Sequence, residues 1–108
     1  MVISCPIHRE QQGYEMTDKV LSAYMEGKKI DLEKLVFHFS DLKYNLEHIK
    51  SLNESWKWLK PQMNETYFNR YVDEYLRYPK GACSICFKGY LKKMNIKPQI
   101  VDIYITPN

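Results

Sequence analysis

The chain has 108 residues, 44% hydrophobic and 27% charged, an ordinary globular composition that excludes a low-complexity or disordered chain. At this length a fold buries roughly two thirds of the surface that the extended chain would expose, so any additional cross-link matters to stability. The formal charge of +3 says little until it is divided: residues 1–74 carry 10 Lys/Arg against 12 Asp/Glu, whereas residues 75–108 carry Arg77, Lys80, Lys88, Lys92, Lys93 and Lys97 against Asp102 alone.

In chain order, MVISCPIHREQQ lacks a charged leader followed by an apolar run, and no stretch approaches the roughly 20 apolar residues of a membrane span. A soluble, cytoplasmic protein without membrane contact is the expectation. This opening contains Cys5 and His8, a Cys-x-x-His pair. The first helix is expected over Asp18–Glu26, capped by Thr17, with Val20, Leu21, Tyr24 and Met25 on one face and Gly27 ending it in a left-handed conformation.

The next segment starts at Asp31 and carries apolar residues at 32, 35, 39, 42, 46, 49 and 56, spaced alternately by three and four, with Asn53 at the one polar step. This periodicity predicts a helix to Leu59, stopped by Pro61. Unbroken, it would be roughly 42 Å long at 1.5 Å per residue. Either it breaks near residues 51–55 or it protrudes and offers residues 32–59 to a second copy of the chain. A further helix is expected from Asn64 as cap to Pro79 and Gly81, with Phe68, Val72 and Leu76 in one stripe and Tyr67, Tyr71, Tyr75 and Tyr78 in the adjoining one.

After Cys83-Ser-Ile-Cys86 comes a short basic helix, FKGYLKKM, and then QIVDIYIT, whose alternation predicts a strand. Its expected neighbour is the N-terminal VISC segment. The fold class expected is therefore mainly α with minor β: one metal-stapled domain over 1–108, in which 1–14 and 80–108 form the zinc-binding base and 15–79 a helical hairpin inserted between the two ligand pairs.

Zinc takes four nitrogen or sulfur ligands in a tetrahedron, and a two-residue gap lets one tight turn aim two side chains at the ion. Cys5, His8, Cys83 and Cys86 complete such a set and use every cysteine in the chain, although residues 9–82, 74 positions, separate the pairs. An odd number of cysteines cannot all pair within one chain, which favours metal over a disulfide framework. Two alternatives stay open: buried cysteines with an exposed histidine, or a redox dithiol at Cys83/Cys86, which lacks a preceding βαβ pattern. His38 and His48 lie away from these pairs and are read as surface or satisfied core histidines. CPIHRE with the later CSIC resembles the Cys-Pro-x-His and Cys-x-x-Cys ligand pattern of the zinc-binding domain of bacterial DNA primases. The likeness spans about ten residues and implies the same choice of ligands.

The chain contains no phosphate loop, nucleophile elbow or glycine-rich dinucleotide turn, and four protein ligands would leave a zinc ion no open position, so no enzymatic activity is expected. The leading expectation is a small regulator or adaptor that grips a protein partner through Tyr67, Tyr71, Tyr75, Tyr78, Trp56 and Trp58, resembling in outline the small modulators encoded by phages and mobile elements. The alternative is nucleic-acid binding through Lys80, Lys88, Lys92, Lys93 and Lys97, with Phe87 and Tyr90 interleaved.

Overall fold

The computed structural model describes residues 2–40, 45–54, 60–76 and 80–108, the side chain of Tyr75 excepted. It is mostly β, with 43% of residues in strands and 33% helical, which corrects the expectation of a mainly α fold. The order is β1 (Val2–Cys5), β2 (Arg9–Glu15), α1 (Asp18–Glu26), β3 (Leu32–Phe39), β4 (Leu46–Ser51), β5 (Gln62–Asn64), α2 (Glu65–Tyr71) running into a π-helical turn (Val72–Leu76), β6 (Gly81–Cys83), α3 (Ser84–Met94) and β7 (Gln99–Thr106). Two sheets result, ordered β1-β2-β6 and β4-β3-β7-β5.

The long helix expected from Asp31 is instead an antiparallel strand pair, in register from Leu32↔Ser51 to Phe37↔Leu46. Its three-four spacing arises from strands buried on both faces. Leu35 and Phe37 point to one side with Met63, Ile103 and Ile105, and the helix α2 covers them with Phe68 and Tyr71. Leu32 and Ile49 point to the other side, where Val20 of α1 and Phe87 and Tyr90 of α3 meet them. A strand with apolar residues at both parities has lost its alternation, and its pattern then imitates a helix face. With the helix absent, the helical insertion over 15–79 and the helix face offered for dimerisation by residues 32–59 are absent too. Trp56 and Trp58 lie outside the described residues.

The strand QIVDIYIT forms over the expected residues, but VISC is not its neighbour. It pairs in parallel with β3, from Glu33↔Gln99 to Phe39↔Ile105, and with β5, from Gln62↔Tyr104 to Asn64↔Thr106, so it is central in its sheet. VISC pairs antiparallel with β2. The two sheets touch where Met16 forms a parallel bridge to Ile49 at the outer edge of β4, with Thr17 N–H donating to Ile49 O at 3.0 Å.

The helix ends follow local chemistry. Thr17 Oγ1 accepts the Val20 N–H at 3.4 Å and itself donates to Glu54 Oε2 at 2.8 Å, which ties the start of α1 to the turn after β4. Gly27, at φ 67°, closes α1 in the left-handed region where a Cβ is costly. Asn64 caps α2 by accepting the Tyr67 N–H at 3.0 Å. No helix among the described residues is long and apolar enough to cross a membrane.

Candidate metal centre

Each half of the centre is a tight turn fixed by its own backbone. β1 and β2 form a hairpin whose register closes at Cys5↔Arg9, leaving Pro6, Ile7 and His8 as the tip. Proline presets its own φ, and Arg9 takes the left-handed conformation, φ 61°, that brings the chain back into β2. The backbone N–H groups of His8 and Ile7 donate to the Cys5 sulfur, and these bonds lower its pKa to about 6 against the opposing effect of burial. The other half sits where β6 becomes α3: Cys83 is the N-cap, at φ −52° and ψ 130°, and Cys86 lies in the first helical turn. Pairing of β6 with β2, Gly13↔Cys83, carries this turn to the hairpin.

The four side chains converge. Cys5 Sγ stands 3.6 Å from His8 Nδ1 and 3.6 Å from Cys86 Sγ, and His8 Nδ1 stands 3.7 Å from Cys83 Sγ and 3.4 Å from Cys86 Sγ. All four ligand atoms lie within 4.8 Å of one another, an arrangement that can hold one metal ion. Cys5 and Cys83 are buried, His8 and Cys86 half-buried, and all three thiols are free of disulfides. Cys86 is the mirror of Cys5: its hydrogen bond to the Cys5 sulfur, then burial, push its pKa up to about 11.

The surroundings contain a residue that sequence reasoning placed only on a helix face. Tyr24 of α1 has its pKa raised by burial, then by the negative charge of the neighbouring Cys86 sulfur. Its ring packs edge-on against Phe87 at 5.4 Å and Tyr90 at 5.3 Å. Only the tertiary fold brings α1 to this centre, so no local spacing announced the contact. Outer-shell polar groups beside a ligand typically matter 10- to 100-fold to metal affinity, so Tyr24→Phe is expected to weaken metal binding by about tenfold in a competition titration with a chromophoric chelator.

The remaining expected site residues divide. Lys88, Lys92 and Lys93 are exposed on α3 and Lys97 is exposed beyond it; among the described residues none of these four has an ion-pair partner. Lys80 is apart from them, paired with Asp18 at 2.7 Å. Of the tyrosine stripe, the structure describes the side chains of Tyr67 and Tyr71, and the two differ in exposure. Tyr71 is fully buried against Phe37, with ring centroids 4.9 Å apart, and its hydroxyl is hydrogen-bonded to His48 Nδ1, which corrects its assignment as a partner anchor. Tyr67 is 39% exposed under the Lys60 ammonium at 5.7 Å. Tyr78 and the Tyr75 side chain lie outside the described residues. His48 is a satisfied core histidine. His38, on the sheet face opposite α2, bonds Asp102 Oδ1 at 2.8 Å and stacks on Tyr104 at 4.8 Å.

Comparison with known protein families, curated proteins and solved structures returns no match, so the chemistry of the centre rests on its own residues.

Proposed function

We propose that the centre binds one structural zinc ion and that the protein is a non-enzymatic nucleic-acid-binding module. Zinc–sulfur bonds of about 2.3 Å and a zinc–nitrogen bond of about 2.0–2.1 Å at tetrahedral angles put sulfurs about 3.8 Å apart and sulfur–nitrogen pairs about 3.6 Å apart. Four of the separations among Cys5, His8, Cys83 and Cys86, at 3.4–3.7 Å, suit that ion, and every pair lies within 4.8 Å. Three sulfurs and an imidazole close the coordination shell, which favours a clasp over a catalytic metal and over a two-thiol redox pair.

The observation that carries the nucleic-acid reading is the helix that leaves the clasp. Cys83 and Cys86 fix the first turn of α3, and the helix has no acidic residue to balance Lys88, Lys92 and Lys93 on its solvent side. Ammonium groups without local counter-charges, held on a rigid element, suit a run of phosphates and give affinity without choice of sequence. Support for a protein partner is weaker, because Tyr71 is in the core and the heptad helix is a strand pair.

The test is binding to a generic DNA duplex and a generic single strand across a salt series. Each phosphate contact contributes roughly −0.9 to the slope of log affinity against log salt on duplex DNA, and about −0.7 on single strands. Lys88→Glu/Lys92→Glu/Lys93→Glu is expected to reduce the slope by about two to three and to weaken binding at every salt concentration. Unchanged affinity and slope in the triple variant overturn the reading.

A further inference from the structure

A cleft lies beside the lysine helix, and the role assigned to it below rests on the nucleic-acid reading above. Met16, the residue after β2, bridges Ile49 of β4, the one β-bridge between these two segments among the described residues. On the side where β2 and β4 each begin, they part around a cleft of about 360 Å³ whose walls include Gln12, Tyr14 and Glu15 of β2, Asn45 and Glu47 at the start of β4, and Lys88 of α3. That volume lies at the lower end of small-ligand sites, which run from about 300 Å³. Lys88 belongs both to this wall and to the exposed lysine face, so the cleft opens onto the proposed phosphate track.

The wall chemistry separates base from phosphate. Glu47 is neutralised by Lys34 at 3.2 Å, and Lys34 also lies over the Tyr14 ring at 5.7 Å, while Phe87 holds that ring edge-on at 5.9 Å. Glu15 is half-buried and has no ion pair among the described residues. A carboxylate there repels phosphate but accepts two N–H bonds side by side. Among the bases, guanine presents two adjacent donors on its Watson–Crick edge, N1–H and the N2 amino group, whereas thymine presents one N–H between two carbonyl oxygens. We infer that this cleft takes an unpaired guanine from a single strand whose phosphates lie on Lys88, Lys92 and Lys93, with Glu15 as the residue that reads it. In a duplex this edge is occupied by cytosine, so the protein prefers single strands that contain guanine.

The experiment uses the zinc-loaded full chain and fluorescence anisotropy with a short oligothymidine strand, the same strand carrying one central deoxyguanosine, and a duplex of the latter. The strand with guanine is expected to bind roughly 5- to 150-fold tighter than oligothymidine, the range of one good bidentate base contact. Glu15→Gln is expected to abolish that ratio while oligothymidine still binds, whereas Lys92→Glu/Lys93→Glu, which leaves the cleft wall intact, weakens both strands and keeps the ratio. Equal affinity for the two strands, or a ratio that survives Glu15→Gln, overturns the inference and leaves the lysine reading standing. Failure of every oligonucleotide to bind overturns both. Amide shifts on adding guanosine 5′-monophosphate against thymidine 5′-monophosphate supply an independent readout: shifts at residues 12–15 and 45–47 with guanine alone support the cleft, and shifts confined to α3 overturn it.

Discussion

Removing the metal with a strong chelator, or replacing Cys86 by serine, is expected to cost the protein the organisation of β1, β2, β6 and α3. A well-formed structural zinc site contributes of order 10 kcal/mol, whereas whole domains are stable by about 5–15 kcal/mol. A zinc clasp of that strength would be comparable with everything else that holds the chain together. The loss should spread to α1, because Val20, Phe87, Tyr90, Leu32 and Ile49 share one core. Metal analysis should return one zinc per chain, and chelator should lower the melting temperature steeply. A cooperative melt that chelator does not move would overturn the zinc assignment. The shifted thiols set the direction of the pH effect. Without metal, Cys5 titrates near 6 and Cys86 near 11, so at neutral pH uptake must expel a proton from Cys86. Zinc addition in weak buffer should acidify the solution, and affinity should fall as pH drops, more steeply once Cys5 also protonates.

The second large effect belongs to His48. It is 1% exposed, and burial lowers its pKa from 6.5 to about 4, partly opposed by a hydrogen bond to the Met16 backbone. A depressed histidine favours the neutral form in the fold. Its contribution is complete above pH 6.5 and declines as pH falls toward 4, because the unfolded chain then binds a proton that the folded chain refuses. The decline is about 1.4 kcal/mol per pH unit and about 3 kcal/mol in all. His48→Phe removes the titration, although it leaves the Tyr71 hydroxyl without this partner. Urea denaturation of both proteins at saturating zinc should give profiles that converge as pH falls below 6.5, since the loss of metal ligands to protons is common to both. Parallel profiles would mean that His48 does not titrate as a buried neutral ring.

The parts of the molecule legible in the sequence are those written in adjacent residues. The caps Thr17 and Gly27 bound α1, Asn64 starts α2, alternation marks β7, and the two-residue gaps in CPIH and CSIC mark the ligand turns. What stayed hidden depends on neighbours in space. β4 buries His48, Lys50 and Ser51, polar residues that read as outward until their partners are known: Lys50 is only 5% exposed because Glu33 meets it at 2.8 Å and the Ser51 and Glu54 carbonyls accept from it. Those polar positions broke the strand signal, and Leu32, Leu35, Phe39, Leu46 and Ile49 supplied a helical one. The partner of β7 was equally hidden, since ladder bonds join backbones and side-chain identity does not name the strand across. Tyr24 reached the metal centre by the same non-local route.

The central place of β7 has a consequence for the order of assembly. Its partner across the ladder is remote, with Gln99 opposite Glu33, 99 − 33 = 66 positions away, and parallel pairings at such separation form slowly. All four metal ligands precede it in the chain. During synthesis the clasp can therefore close while β3 and β5 still present bare inner edges, and the eight residues Gln99–Thr106 arrive last to join them. A half-made sheet of this kind is the species most exposed to wrong pairing with another chain. That exposure ends only when β7 docks, a step that carries no metal ligand and follows the last one in the chain.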